Sequence, residues 1–135
     1  MKVTYLGHSC FLILFNGKKL LIDPFITGNV LAKKINLLDI KCDYILITHG
    51  HQDHLLDAEL IANKNNAVII SNYEIISWYQ GKGLNGHAMN HGGKFNFVFG
   101  TVKFVSAIHS SILPDGSCGG NPGGFVIYGK NNSFY

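Results

Sequence analysis

The stretch Thr48-His49-Gly50-His51-Gln52-Asp53-His54 places three histidines and an aspartate within six residues, directly after the apolar run Tyr44-Ile-Leu-Ile-Thr48. On a helix, positions i and i+2 point about 200° apart, and on a strand Asp53 shares a face with His49 and His51 while His54 points away. Neither regular element brings all four side chains together. A loop that leaves a buried strand and enters a helix can, so the sequence demands a strand–loop–helix at this point. His49 and His51 can then share one ion, while Asp53 and His54 at the helix start face a second. Imidazole nitrogen with a single carboxylate suits Zn²⁺ or a similar ion such as Mn²⁺ or Fe²⁺ better than the oxygen-seeking Ca²⁺ and Mg²⁺. A polar loop with histidines by chance is the competing reading, and this density of ligands behind a buried strand makes it the weaker one.

The rest of the chain suggests a matching scaffold. Val3–Leu6, Phe11–Phe15 and Lys19–Ile22 are apolar runs, the last two separated by Asn16-Gly17, so the first 23 residues read as antiparallel strands. Residues 28–41 read as a loop with one helical turn. Leu55–Asn63 carries Leu56, Leu60 and Ile61 near helical spacing, Val68–Ile70 is a buried strand, and Tyr73–Gln80 is a second helix stopped at Gly81. Strand, site, helix, strand, helix is an α/β rhythm. From Lys94 the texture alternates through Phe95, Phe97, Phe99, Val102 and Phe104, with Gly100-Thr101 as the turn of a hairpin, and His109 follows at its exit. Pro114–Gly124 holds five glycines and two prolines and reads as an irregular loop before a last strand, Phe125–Tyr128, and a turn at Asn131-Asn132.

Composition bounds the alternatives. The 135 residues fit one domain, and 47% apolar with only 14% charged residues excludes intrinsic disorder. No apolar run approaches the roughly 18 residues of a membrane span, and the polar start is unlike a signal peptide, so a cytoplasmic protein without a membrane partner is expected. The net charge of +3 comes from 11 scattered lysines and no arginine, which offers no basic stripe for nucleic acid. Cys10, Cys42 and Cys118 are odd in number and lack a CxxC spacing, so they read as free, packed thiols rather than a disulfide framework or thiolate zinc site.

The pattern HxHxDH after such a strand resembles the metallo-β-lactamase superfamily. Thr4-Tyr-Leu-Gly-His-Ser-Cys-Phe11, Lys19-Leu-Leu-Ile-Asp-Pro-Phe25, Met89-Asn-His-Gly-Gly-Lys-Phe95, Ala107-Ile-His-Ser110 and Gly119-Gly-Asn-Pro-Gly-Gly124 extend the likeness over essentially the whole chain. They resemble its small bacterial and archaeal branch of metal-dependent hydrolases, akin to the L-ascorbate-6-phosphate lactonases. The resemblance implies one metal site from His49, His51 and His109 and a second beginning with Asp53 and His54, holding one or two Zn or Mn ions. It implies that Asp23 orients a ligand imidazole, and that His8, in its Gly-His-Ser turn, sits near the metals and touches substrate. Catalysis is then expected from Asp53 and His8, on an ester, lactone or phosphoester of a small-molecule substrate. A nuclease of the same superfamily is a weaker reading. Without the resemblance, His109 is an ordinary strand-end histidine and His8 a hydrogen-bonded turn residue. His91 in its Gly-Gly loop stands between a pocket residue and a surface one, and His87 reads as exposed.

Superfamily members pair two similar halves into a four-layer α/β/β/α sandwich. Their later half supplies a His-x-Gly-Asp segment, whose aspartate bridges both metals, and a final histidine. After Glu74 the only carboxylate here is Asp115, and no histidine follows His109. The expected fold is therefore the N-terminal half of such a sandwich over residues 1–135: α/β, a mixed and largely antiparallel sheet with flanking helices. Such a C-terminally truncated domain leaves unpaired sheet edges and an uncovered apolar face. A homo-oligomer or a complementing C-terminal half is the expected partner, and a catalytically inactive metal-binding half-domain is the alternative function.

Overall fold

The computed structural model describes residues 1–130 and 132–135. Asn131, half of the expected Asn131-Asn132 turn, lies outside the described residues. β1 (Lys2–Gly7), β2 (Cys10–Phe15) and β3 (Lys18–Ile22) form the antiparallel ribbon that the Asn16-Gly17 turn foretells. Parallel strands β4 (Tyr44–Leu46), β5 (Val68–Asn72) and β6 (Gly86–Met89) then extend it into a six-stranded sheet in sequence order. Helices α1 (Gln52–Leu55), α2 (Ala58–Asn65) and α3 (Tyr73–Gln80) supply the crossovers. A second, antiparallel sheet has the order β10 (Ser133–Phe134), β9 (Gly123–Tyr128), β8 (Gly100–Ser106), β7 (Lys94–Phe97). Across the two sheets the mixture is largely antiparallel, as expected.

Two cores follow from strand alternation. Leu21, Ile45, Ile47 and Ile69 point from the large sheet to the helices, where Ile61, Ile75, Ile76 and Tyr79 meet them. Ile13, Phe15, Leu20, Leu46 and Ile70 point the other way, against Phe99, Val102, Phe104, Phe125 and Ile127 of the small sheet. The layers therefore run helix, sheet, sheet. Phe15 and Phe134 meet edge-on at 5.3 Å, which sets β10 over β2. Val3 and Tyr5 of β1, on the same side as their cross-strand partners Ile13 and Phe11, are 51% and 62% exposed. Here is the uncovered apolar face. The outer face of the small sheet, by contrast, mixes Val105, Val126 and Tyr128 with Lys94, Asn96, Thr101 and Lys103.

Several local expectations are corrected. The helix read over Leu55–Asn63 is broken at Leu56–Asp57, because the buried Asp57 carboxylate is committed to the 24–28 loop: it accepts the Ile26 N–H at 2.6 Å, the Thr27 N–H at 2.9 Å and the Thr27 hydroxyl. Residues 28–41 hold two 3-10 turns instead of one, Val30–Ala32 and Leu37–Asp39. Each is started by an asparagine oxygen, Asn29 taking the Leu31 N–H at 3.0 Å and Asn36 the Leu38 N–H at 3.1 Å. β6 carries no strand signal of its own and forms by pairing with β5. The hairpin turn falls at Val98-Phe99, one step before Gly100, whose φ of +150° and closeness to the Tyr128 carbonyl exclude a side chain. Cys10 and Cys42 are buried as expected, and Cys118 is exposed on the glycine-rich loop.

Candidate metal centre

β4 ends in the middle of the large sheet, so Thr48 to His51 emerge from its C-terminal edge into the open end of the sheet–sheet seam. Asp23 leaves the neighbouring β3 in the left-handed region at φ +41° and is 2% exposed. A buried carboxylate needs donors, and Asp23 has three: the Thr48 N–H to Oδ1 and the Thr48 hydroxyl to Oδ2, both at 2.8 Å, and His54 Nδ1 to Oδ2 at 2.9 Å. These partners assign the tautomers. The Thr48 hydroxyl proton is spent on Asp23, so its oxygen accepts from His49 Nδ1 at 2.9 Å. The Nε2 atoms of His49 and His54 are left with lone pairs facing the cleft. Asp23 thus orients two imidazoles, one directly and one through Thr48, the arrangement that raises ligand basicity in metal sites.

Two triads result. His49, His51 and His109 offer ligand atoms within 4.8 Å of one another, and so do His8, Asp53 and His54. His49 Nε2 and His51 Nδ1 stand 3.1 Å apart, close to the about 3.3 Å separating two nitrogens on a tetrahedral ion with bonds of about 2.05 Å. His109 comes from the other sheet, beyond β8, with its ring 4.8 Å from His49 and 5.0 Å from His51. In the second triad His8, at φ +52° in the β1–β2 turn, has Nε2 3.1 Å from Asp53 Oδ2, and His54 Nε2 stands 4.0 Å from the same oxygen. The rings of His49 and His54 are 4.1 Å apart, so the triads adjoin. Nitrogen-rich donors with one carboxylate fit a borderline first-row ion.

The electrostatics favour the ligand form of His49 and Asp53, while Asp23 makes His54 more basic. Burial, then the neighbouring His54, His51 and His109, pushes the His49 pKa down to about 4, which keeps it neutral and able to donate a lone pair. Burial opposes the His54 proton, but the hydrogen bond and charge of Asp23 overcome it and raise that pKa. Burial also works against the Asp53 anion, yet a backbone N–H and the nearby His54, His8 and His51 hold its carboxyl below the usual range.

A cleft of about 590 Å³ opens from Asp23, His49, His54 and His109 along Val3, Phe11, Ile13, Phe125, Phe134 and Tyr135. His91 does not line it. Its ring packs 4.6 Å from Phe104 and its Nε2 donates to the Pro122 carbonyl at 2.9 Å, which corrects the pocket expectation. His87 is half-buried rather than exposed, its ring 4.2 Å from Phe95 and 5.0 Å from Phe97. Thr48, Asn72 and Ser111 belong to the site's support and escape a reading of the sequence. Only Asn72, an N-cap residue immediately ahead of a helical run, carried a legible signal.

A sequence profile of the metallo-beta-lactamase superfamily matches residues 3–131. A relative from Flavobacterium johnsoniae, described as a metal-dependent hydrolase, is 56% identical over 135 residues, covering 100% of this chain and 60% of the relative. A relative from Christiangramia forsetii with the same description is 54% identical, covering 100% and 60%. Igni18, a metallo hydrolase from the archaeon Ignicoccus hospitalis, superposes with a TM-score of 0.84 at 33% identity, over 98% of this chain and 57% of that structure. The chain thus spans about 60% of the length of the curated relatives it matches. Profile, relatives and fold agree: the chain belongs to the metallo-beta-lactamase superfamily.

Proposed function

We propose that this chain provides the metal-binding half of a metal-dependent hydrolase that attacks an ester, lactone or phosphoester with an activated water. The observation that carries this reading is the pair of adjoining triads, His49–His51–His109 and His8–Asp53–His54, each with its ligand atoms within 4.8 Å. Zinc or manganese, when bound, supplies Lewis acidity that brings a water's pKa toward neutrality and polarises the substrate oxygen. His49, His51 and His109 would hold the first ion, and Asp53 and His54 would hold the second. Asp53 also accepts a hydrogen bond from the attacking water and so aims its lone pair at the substrate. His8, 3.1 Å from Asp53, steadies that carboxylate and reaches the substrate from the more exposed side. Asp23 and Thr48 keep the imidazole lone pairs turned to the cleft.

The relatives' description supports the reaction class. The substrate is read only as a small molecule, and no described helix is long and apolar enough to cross a membrane. The second reading is a metal-binding half-domain inactive without a partner, either another copy or a complementing C-terminal half. It is favoured by the carboxylate count of the second triad, which is one, and by the exposure of Val3 and Tyr5 beside the cleft.

Elemental mass spectrometry on protein purified without chelator, with oligomer mass from the same sample, tests both. About two ions per chain and chelator-sensitive turnover of esters, lactones or phosphodiesters supports the hydrolase. About one ion and no turnover with any of them supports the half-domain, and no bound ion sinks both.

A further inference from the structure

We propose that Ser111 is a positioning residue for the metal centre, holding the loop that carries His109 against the loop that carries His49 and His51. The inference rests on the metal-centre reading and adds to it a residue outside both triads. The two ligand loops come from different sheets, so nothing in either sheet's own ladder sets the distance between them. Just ahead of the ligands the Gly123 N–H donates to the Thr48 carbonyl at 3.0 Å, and at the ligand loop itself the connection runs through the Ser111 hydroxyl. Ser111 Oγ accepts the N–H of Gly50, the residue between His49 and His51, at 3.0 Å, and donates to the Gly119 carbonyl at 2.9 Å. The backbone repeats the connection, since the Gly119 N–H donates to the Ser111 carbonyl at 3.2 Å. Asn72 Nδ2 then ties the Gly119 and Asn121 carbonyls to the start of α3 at 2.7 and 3.2 Å.

The glycines supply an independent observation. A Cβ on Gly50 would sit 3.1 Å from the Ile112 carbonyl oxygen and 3.2 Å from Ser111 Oγ. A Cβ on Gly119 would collide with Ser111 Oγ and come within 3.3 Å of the Gly50 Cα. Neither contact arises from a left-handed backbone, because neither residue has a positive φ. Both positions lack side chains where the two strips of backbone close on Ser111. Gly50 is buried, so without the hydroxyl its N–H loses its partner away from water and the loop must shift to find another. A shift of a few tenths of an ångström there moves His49 and His51 relative to His109. Ser110 does not share this role: it is exposed, and its oxygen lies 3.4 Å from His51 Nε2.

The test is a Co²⁺ and Zn²⁺ titration of the 135-residue chain and its Ser111→Ala, Gly50→Ala, Asn16→Ala and His49→Ala variants, following the visible Co²⁺ spectrum and thermal unfolding without metal. Asn16→Ala removes a side-chain bond to the Phe99 carbonyl, far from the centre, and controls for general destabilisation. Ser111→Ala and Gly50→Ala should each weaken binding about ten- to a hundredfold and alter the Co²⁺ spectrum, while Asn16→Ala lowers thermal stability alone. Ser111→Ala binding within about twofold of the parent, or weakening no more than Asn16→Ala, overturns the proposal while leaving the metal centre intact. If His49→Ala binds as the parent does, the metal centre itself falls, and the role of Ser111 with it.

Discussion

His49 and His51 face each other in the first triad, Nε2 to Nδ1 at 3.1 Å, which sets them apart from histidines that only pack. His49→Ala and His51→Ala should each abolish tight metal binding, whereas His87→Ala, whose ring only packs on Phe95 and Phe97, should retain it; equal retention in all three by equilibrium dialysis would refute the site. Protonation gives a second expectation, for metal-free protein. The His49 pKa of about 4 lies below its ordinary 6.5, so between those values the unfolded chain holds a proton that the folded one refuses. Stability from His49 is full above 6.5 and is lost as the pH falls toward 4. The sign for His54 is opposite: its raised pKa gives stability below 6.5 that is lost as the pH rises through the folded value. Thermal unfolding from about pH 5 to about pH 8 should therefore be most resistant near the ordinary histidine pKa, and His49→Gln should flatten the acid limb.

At the level of elements, Asn72 joins β5, α3 and the 119–121 loop. Its oxygen caps α3 through the Ile75 N–H at 2.9 Å while its nitrogen serves two carbonyls of the loop. Asn72→Ala should cost about 1–3 kcal/mol in urea unfolding, from a lost cap and unpaired buried carbonyls, and should also raise proteolysis of the loop. The contrast with Tyr73–Gln80 shows what a sequence makes legible. That helix is announced by Ile75, Ile76 and Tyr79 on one face, and the β1–β3 ribbon by Asn16-Gly17. The break between α1 and α2 is not, because its cause is Asp57 reaching residues some thirty positions earlier. The HxHxDH stretch is legible because its ligands are neighbours in the chain. His109 needed the family pattern, while Ser111 acts on backbone groups of distant residues and Thr48 on the carboxylate of Asp23, contacts that leave no trace in spacing.

For the molecule as a whole, the two sheets are unequal, six strands against four, and the larger one extends past β10 with Val3 and Tyr5 bare on the inner side. Apolar surface of this kind beside an open cleft favours association. Light scattering should find the 135-residue chain as an oligomer or aggregate; a sharp monomeric peak with cooperative unfolding would count against it. The three histidines of the first triad straddle the sheets, two from the β4 edge and one from beyond β8. An ion held by all three is therefore a rivet through the layers, and sliding one sheet over the other requires breaking coordination first. The melting temperature should then climb with free zinc, by the equivalent of about 2.7 kcal/mol at a hundredfold excess over Kd. A chelator, which touches no part of the hydrophobic cores, would act on this protein as a denaturant does.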